Sequence, residues 1–223
     1  MVNLDAVRDE IKIINKNVEL MAVSKTHPYS AILECYDLGQ RLFGENRVQE
    51  VAEKFPLKDK RPSDMYLALI GHLQSNKVKK AILLFDRIDS VDSIKTLLLI
   101  EKEAEKINKT IDILFEVNSS GEDQKSGFTT KEELFEAVKL VNTLNYVKLR
   151  GIMTVGPLGD DREKNIKAFK YTKEIFDEIK EKYNPNIDIL SMGMSGDYKE
   201  AIECGSNLVR IGTAIFGKRD YNA

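Results

Sequence analysis

Short apolar stretches alternate with amphipathic segments along the whole chain, and this alternation limits the fold more than any other feature. The apolar stretches cover residues 18–25, 42–46, 65–72, 86–91, 112–118, 149–155, 188–194 and 208–216. Each has the length of a strand, and most end in small or polar residues. Between them, Leu97, Ile100, Ala104 and Ile107 recur at spacings of 3, 4 and 3. Phe169, Thr172, Phe176, Ile179 and Tyr183 recur at 3, 4, 3 and 4. Both are the period of a helix with one apolar face. Thr130 with Glu133 reads as a capping box opening the helix that carries Leu134, Val138 and Val141. Asp197 with Glu200 is a weaker version ahead of Ala201 and Ile202.

Strand–helix alternation predicts a parallel sheet covered by helices. Eight repeats in 223 residues leave about 28 residues each, enough for a βα unit. The count favours a closed (β/α)8 TIM barrel, one domain over residues 1–223, without edge strands. Residues 86–91 (DRIDSV) make the poorest strand, and losing it would reopen the open doubly wound sheet. A formal charge of −2 argues against a nucleic-acid partner, whose footprint needs a basic face. No apolar run exceeds six residues, against the roughly 20 that cross a bilayer. Residues 1–17 lack the apolar core of a signal peptide. Cys35 and Cys204 match no metal spacing, and His27 and His72 are too few for a multi-histidine site. The expectation is a reduced, cytoplasmic protein, monomeric for want of an outer apolar stripe.

In a barrel, chemistry collects at the C-terminal ends of the strands. Those ends carry Ser24, Lys25, Asn46, His72, Asn118, Met153, Ser195, Gly212 and Thr213. Lys25 closes the apolar run MAVSK at the barrel mouth. Burial and nearby cations lower a lysine pKa from about 10.4 toward about 7–8, leaving an amine that can attack a carbonyl. Lys25 could equally be the first polar residue of a loop. LSMGMSGD (190–197) and VRIGTAIFG (209–217) supply glycines and hydroxyls after the last two strands, where barrels often hold phosphate. A helix start beside Ser195 and Gly196 could add to this, or the glycines could be ordinary turns. Arg210 shares a strand face with Gly212, so it points inward and needs either a ligand or a salt bridge, for instance to Glu45 or Glu116. His27 and His72 are acid–base candidates without an identified partner.

AVSKTHP, FGENRVQE, IGHLQSNK, LRGIMT, LSMGMS and VRIGTAIFG, in this order, resemble the pyridoxal phosphate homeostasis protein family. The resemblance runs from about Val18 to Tyr221. That family is similar in turn to the barrel domain of alanine racemases and other fold-type III pyridoxal phosphate enzymes. The resemblance implies that Lys25 forms a Schiff base with the cofactor aldehyde. It implies that Ser195, Gly212 and Thr213 hold the phosphate, that Arg210 faces the pyridine nitrogen, and that Asn46 and Met153 line the pocket. One departure is visible: many relatives read Trp-His-Phe-Ile-Gly where this chain reads Leu67-Ala68-Leu69-Ile70-Gly71. Changed packing is expected there, not a lost cofactor.

An arginine cannot take the proton that an aspartate would share with the ring nitrogen, so the ring is a weaker electron sink. Only residues 218–223 follow the last barrel motif, which leaves no second domain to bring a tyrosine base. Tyr221 reads as a tail residue. The expected function is a carrier that holds pyridoxal 5′-phosphate reversibly in intracellular homeostasis, without robust turnover, with apo-enzymes as recipients. The alternative is a weak amino-acid racemase or decarboxylase using the same lysine. A Schiff-base aldolase is a third reading, and the phosphate-binding strings speak against it.

Overall fold

Eight strands close on one another in the computed structural model, which describes residues 2–55, 61–122, 124–159 and 161–217. They are β1 (Glu19–Val23), β2 (Leu42–Glu45), β3 (Tyr66–Leu69), β4 (Arg87–Val91), β5 (Ile111–Val117), β6 (Val147–Thr154), β7 (Ile189–Ser191) and β8 (Leu208–Ile211). Neighbours pair parallel in chain order, and β8 returns to β1 through Glu19↔Leu208 to Ala22↔Ile211. The helices between them are α2 (Tyr29–Asp37), α3 (Val48–Lys54), α4 (Val78–Leu84), α5 (Ile94–Glu105), α6 (Lys131–Val141), α7 (Arg162–Lys182) and α8 (Tyr198–Glu203). The closed (β/α)8 barrel is therefore the fold, and the open sheet is excluded. Among the described residues, no helix is long and apolar enough to cross a membrane.

Local chemistry starts the longer helices. Ser93, Thr130 and Asp161 each accept the amide of the residue three positions on, at 3.2, 3.3 and 3.2 Å, opening α5, α6 and α7. Asp197 does not cap α8 in this way. Its Oδ1 takes the amide of Met194 at 2.6 Å, because the turn before the helix brings that N–H back to the carboxylate. Residues 86–91 hold a strand buried along its whole length. Its charges pair within the strand, Arg87 Nε to Asp89 Oδ1 at 2.5 Å and Nη2 to Oδ2 at 2.9 Å, which is how a polar sequence stays inside.

Two elements differ from the expectation. The stretch 208–216 is strand only to Ile211 and then turns through Gly212 into α9 (Thr213–Phe216). Residues 4–14, whose mixed charges gave no strand signal, form α1 (Leu4–Ile14) with Leu4, Val7 and Ile11 buried on one face. It is fixed by Asn3 N–H donating to Ile215 O at 2.8 Å and by Tyr198 Oη donating to Glu10 Oε2 at 2.6 Å. Tyr221 lies outside the described residues.

The main core lies between sheet and helices. A second, small cluster of Met21, Leu42, Ala68 and Leu208 fills the barrel axis. These residues mark the inward face of β1, β2, β3 and β8. Leu67 and Leu69 are fully buried in the outer layer and Ala68 in the inner one, so the replaced aromatic segment is a packing feature of β3.

Candidate functional site

The inward alternation of each strand continues past its end, and this builds the mouth of the barrel. Met21 and Val23 are followed by Lys25, Leu42 and Gly44 by Asn46, and Leu208 and Arg210 by Gly212. The extrapolated residues, with Val23 and Arg210, line a cavity of about 360 Å³. Ser195 and Thr213 line it as well. Six of the seven residues expected at the site therefore share one space. Met153 does not line it. That side chain is fully buried in β6, and Val155, one inward step nearer the mouth, is at the wall.

Lys25 is delivered by a constrained turn. Thr26 adopts φ 66°, a left-handed conformation unusual for a β-branched residue. Its amide donates to Glu50 Oε1 at 2.6 Å, which holds it there. His27 lines the cavity with its ring stacked on Phe216 at 4.9 Å. His72 points elsewhere, its Nδ1 3.1 Å from Asp92 Oδ2, in an adjoining cavity that shares Asn46.

Arg210 is 3% exposed. Its guanidinium donates to Ser191 Oγ and to Thr154 O, both at 2.7 Å. Neither expected salt bridge forms. Glu45 takes Lys54 Nζ at 2.6 Å on the outer side of β2, and Glu116 takes Ser126 Oγ at 2.8 Å. Among the described residues no carboxylate stands within ion-pair range of Arg210. Burial pulls the guanidinium below its ordinary value, with Asp89, Asp197 and Glu116 pushing the other way. A buried cation on two neutral acceptors, at a cavity wall, is suited to a ligand acceptor.

The rest of the lining has the same character. Asn46 Oδ1 is buried without a hydrogen-bond partner. The backbone is close here: a Cβ at Gly71 would stand 2.3 Å from the Asn46 carbonyl oxygen, so only glycine leaves Asn46 in place. Ser195, Gly196, Gly212 and Thr213 bring two hydroxyls and two glycine backbones to the cavity wall. The helices that follow are six and four residues long, so hydroxyls and amides must do what a macrodipole would do in a longer helix. Strand-end reading missed the walls formed by Ile70, Val155 and Met194, whereas Gly196 was singled out together with Ser195. Two of these were within reach, because Ile70 and Val155 continue the inward faces of Ala68 and Met153. Among the described residues no three His, Cys, Asp or Glu side chains gather as a metal site requires.

Residues 2–220 match the family described as alanine racemase, N-terminal domain. The pyridoxal phosphate homeostasis protein of Vibrio cholerae is 42% identical over 208 residues, covering 92% of this chain and 87% of that protein. The protein of that name from Haemophilus influenzae is 38% identical, covering 99% of this chain and 96% of its own. PipY of Synechococcus elongatus, solved with PLP bound, superposes with a TM-score of 0.83 at 32% identity, over 95% of this chain and 100% of its own. An alanine racemase of Clostridium difficile, 18% identical with a TM-score of 0.70, shares the fold over 58% of its length.

Proposed function

We propose that this chain, which belongs to the pyridoxal phosphate homeostasis proteins within the alanine racemase N-terminal domain family, holds pyridoxal 5′-phosphate as a reversible Schiff base on Lys25 and acts as a carrier. The observation that carries this reading is the gathering of Lys25, Arg210, Ser195, Gly212 and Thr213 around one cavity. The donor set suits the cofactor. Hydroxyls and glycine amides fit a phosphate, the orphaned Asn46 Oδ1 offers an acceptor, and the Arg210 guanidinium offers a donor. About 360 Å³ is within the range of small-molecule sites.

Bound cofactor supplies an aldehyde to an amine and an electron sink for amino-acid chemistry. Lys25 attacks that aldehyde, a C=N bond forming while the carbonyl oxygen leaves as water. Arg210 has only donors, so it can orient a ring nitrogen but cannot accept a proton from it. That favours reversible holding over carbanion chemistry. The names of the relatives agree with a homeostatic role. One observation favours the alternative of weak racemase turnover: His27 shares the cavity with Lys25 and could act as a second base.

Two measurements test the proposal. Lys25→Ala should abolish the visible absorbance of the linkage and the borohydride-trapped adduct, and trapping at another lysine would overturn the assignment. Deuterium exchange at the α-carbon of amino acids in D₂O should stay below one turnover per site while cofactor passes to an apo-enzyme. Lys25-dependent exchange over many turnovers, lost in His27→Ala, would replace the carrier with the racemase.

A further inference from the structure

FGENRVQE contributes only Asn46 to the cavity, and the rest of that motif has another use. Behind β1 and β2, on the side away from the axis, lies a cluster of charged groups where other strands place aliphatics. Lys54 is its centre. Its Nζ donates to Ser24 O at 2.9 Å, to Glu45 Oε1 at 2.6 Å and to Glu50 Oε1 at 3.1 Å. Side-chain exposure is 10% for Lys54, 0% for Glu45 and 24% for Glu50. Glu45 Oε1 also accepts from Ser24 Oγ at 2.6 Å, and Glu50 Oε1 from the amide of Thr26 at 2.6 Å.

The attraction within such a buried cluster is largely offset by the desolvation of its ions, so it gains little over an apolar filling of the same volume and needs a reason beyond stability. Its contacts supply one. Every backbone atom it holds belongs to the residue before Lys25 or the residue after it. We propose that Lys54, acting with Glu45 and Glu50, is a positioning residue for Lys25: the cluster clamps Ser24 and Thr26 and so fixes the turn that brings the lysine to the cavity. Thr26 is left-handed at φ 66°, a conformation a threonine keeps only when its surroundings impose it. Glu50 imposes it from the amide, and Lys54 holds Glu50. The cation of Lys54 does not touch the cofactor; it acts through backbone.

This inference rests on the reading of Lys25 as the imine-forming residue, and the experiment separates the two. Lys54→Met is compared with Lys54→Arg and with Glu50→Ala, which removes the anchor on Thr26 and the Lys54–Glu50 pair but leaves Lys54 on Ser24 O and Glu45. Pyridoxal 5′-phosphate is titrated by the absorbance of the linkage. Pyridoxamine 5′-phosphate, which has the same ring and phosphate but no aldehyde, is titrated by calorimetry. Amide exchange at Thr26 is followed without ligand. Lys54→Met should weaken the aldehyde ligand about fivefold or more, as expected for partial transmission of one lost charge-assisted bond, and pyridoxamine 5′-phosphate less than twofold. Thr26 exchange should accelerate, and Lys54→Arg should recover part of both. Glu50→Ala should move the same way and carries the test if Lys54→Met does not fold. Equal losses for the two ligands, or unchanged Thr26 exchange in a folded variant, would overturn the inference. A wild type with no adduct at Lys25 would instead overturn the function it rests on.

Discussion

Replacing Arg210 by lysine and, separately, by methionine tests what its guanidinium is for. The side chain is 3% exposed and bridges two strands, Ser191 on β7 and Thr154 on β6, with a 2.7 Å bond to each. A lysine keeps a buried cation but gathers its donors at one point, so it satisfies one of the two acceptors. Losing one hydrogen bond to a charged group costs about 1.5–3 kcal/mol, and the cost of the buried charge remains. Methionine strands both acceptors at about 1–3 kcal/mol each, but it also removes a buried ion whose desolvation is several kcal/mol. Those terms are of similar size and opposite sign. The ligand-free methionine variant should therefore lie within about 2 kcal/mol of the wild type. The lysine variant should melt about 3–12 °C lower, at about 2–4 °C per kcal/mol for a chain of this length. Urea midpoints and melting curves of the cofactor-free proteins measure this. Titration of the same proteins with pyridoxal 5′-phosphate should show at least about a tenfold loss for methionine. A methionine variant more than about 3 kcal/mol less stable than the lysine one, with cofactor affinity intact in both, would make Arg210 a structural bridge and refute the reasoning.

Ser195→Ala and Thr213→Val should each weaken pyridoxal 5′-phosphate by about 1.5–3 kcal/mol, on the order of 10–100-fold, and leave unphosphorylated pyridoxal nearly unchanged. Calorimetric titration with both ligands checks this, and equal losses would mean that these hydroxyls do not read the phosphate. Burial pushes the Glu116 carboxyl up, with the bond from Ser126 pulling the other way. The folded chain thus keeps a proton that the unfolded chain has lost, and this contribution to stability disappears as pH rises from about 4.3 through the folded value. Glu116→Gln cannot lose it, so its urea midpoint should gain on the wild type between pH 4 and 7; a constant difference would show that Glu116 titrates normally.

The barrel was legible because its information is local. Two-residue alternation marked the strands and 3.6-residue periodicity the helices, and neither needs knowledge of a partner. The lining of the candidate cavity was legible for the same reason, since Lys25, Asn46 and Gly212 sit two residues beyond an inward-facing strand position. Met153 shows the limit of reading strand ends one residue at a time. Its side chain belongs to the inner face of β6 but below the mouth, and only the depth of the barrel layers separates it from Val155. The buried polar groups were the part that local pattern could not resolve. Glu45 was a candidate partner for Arg210 because both read as strand residues. Phe43 and Glu45, however, face the helices, opposite to Gly44, so Glu45 meets Lys54 one helix later. Arg87 looked like a flaw in a strand until Asp89, two residues on and therefore on the same face, neutralised it. The same alternation resolves both cases: a strand charge pairs with what its own face meets. Arg210 donates to Ser191 and Thr154 at the cavity wall, and among the described residues no carboxylate stands within ion-pair range of it, which is why the proposed function gives its guanidinium a ligand acceptor.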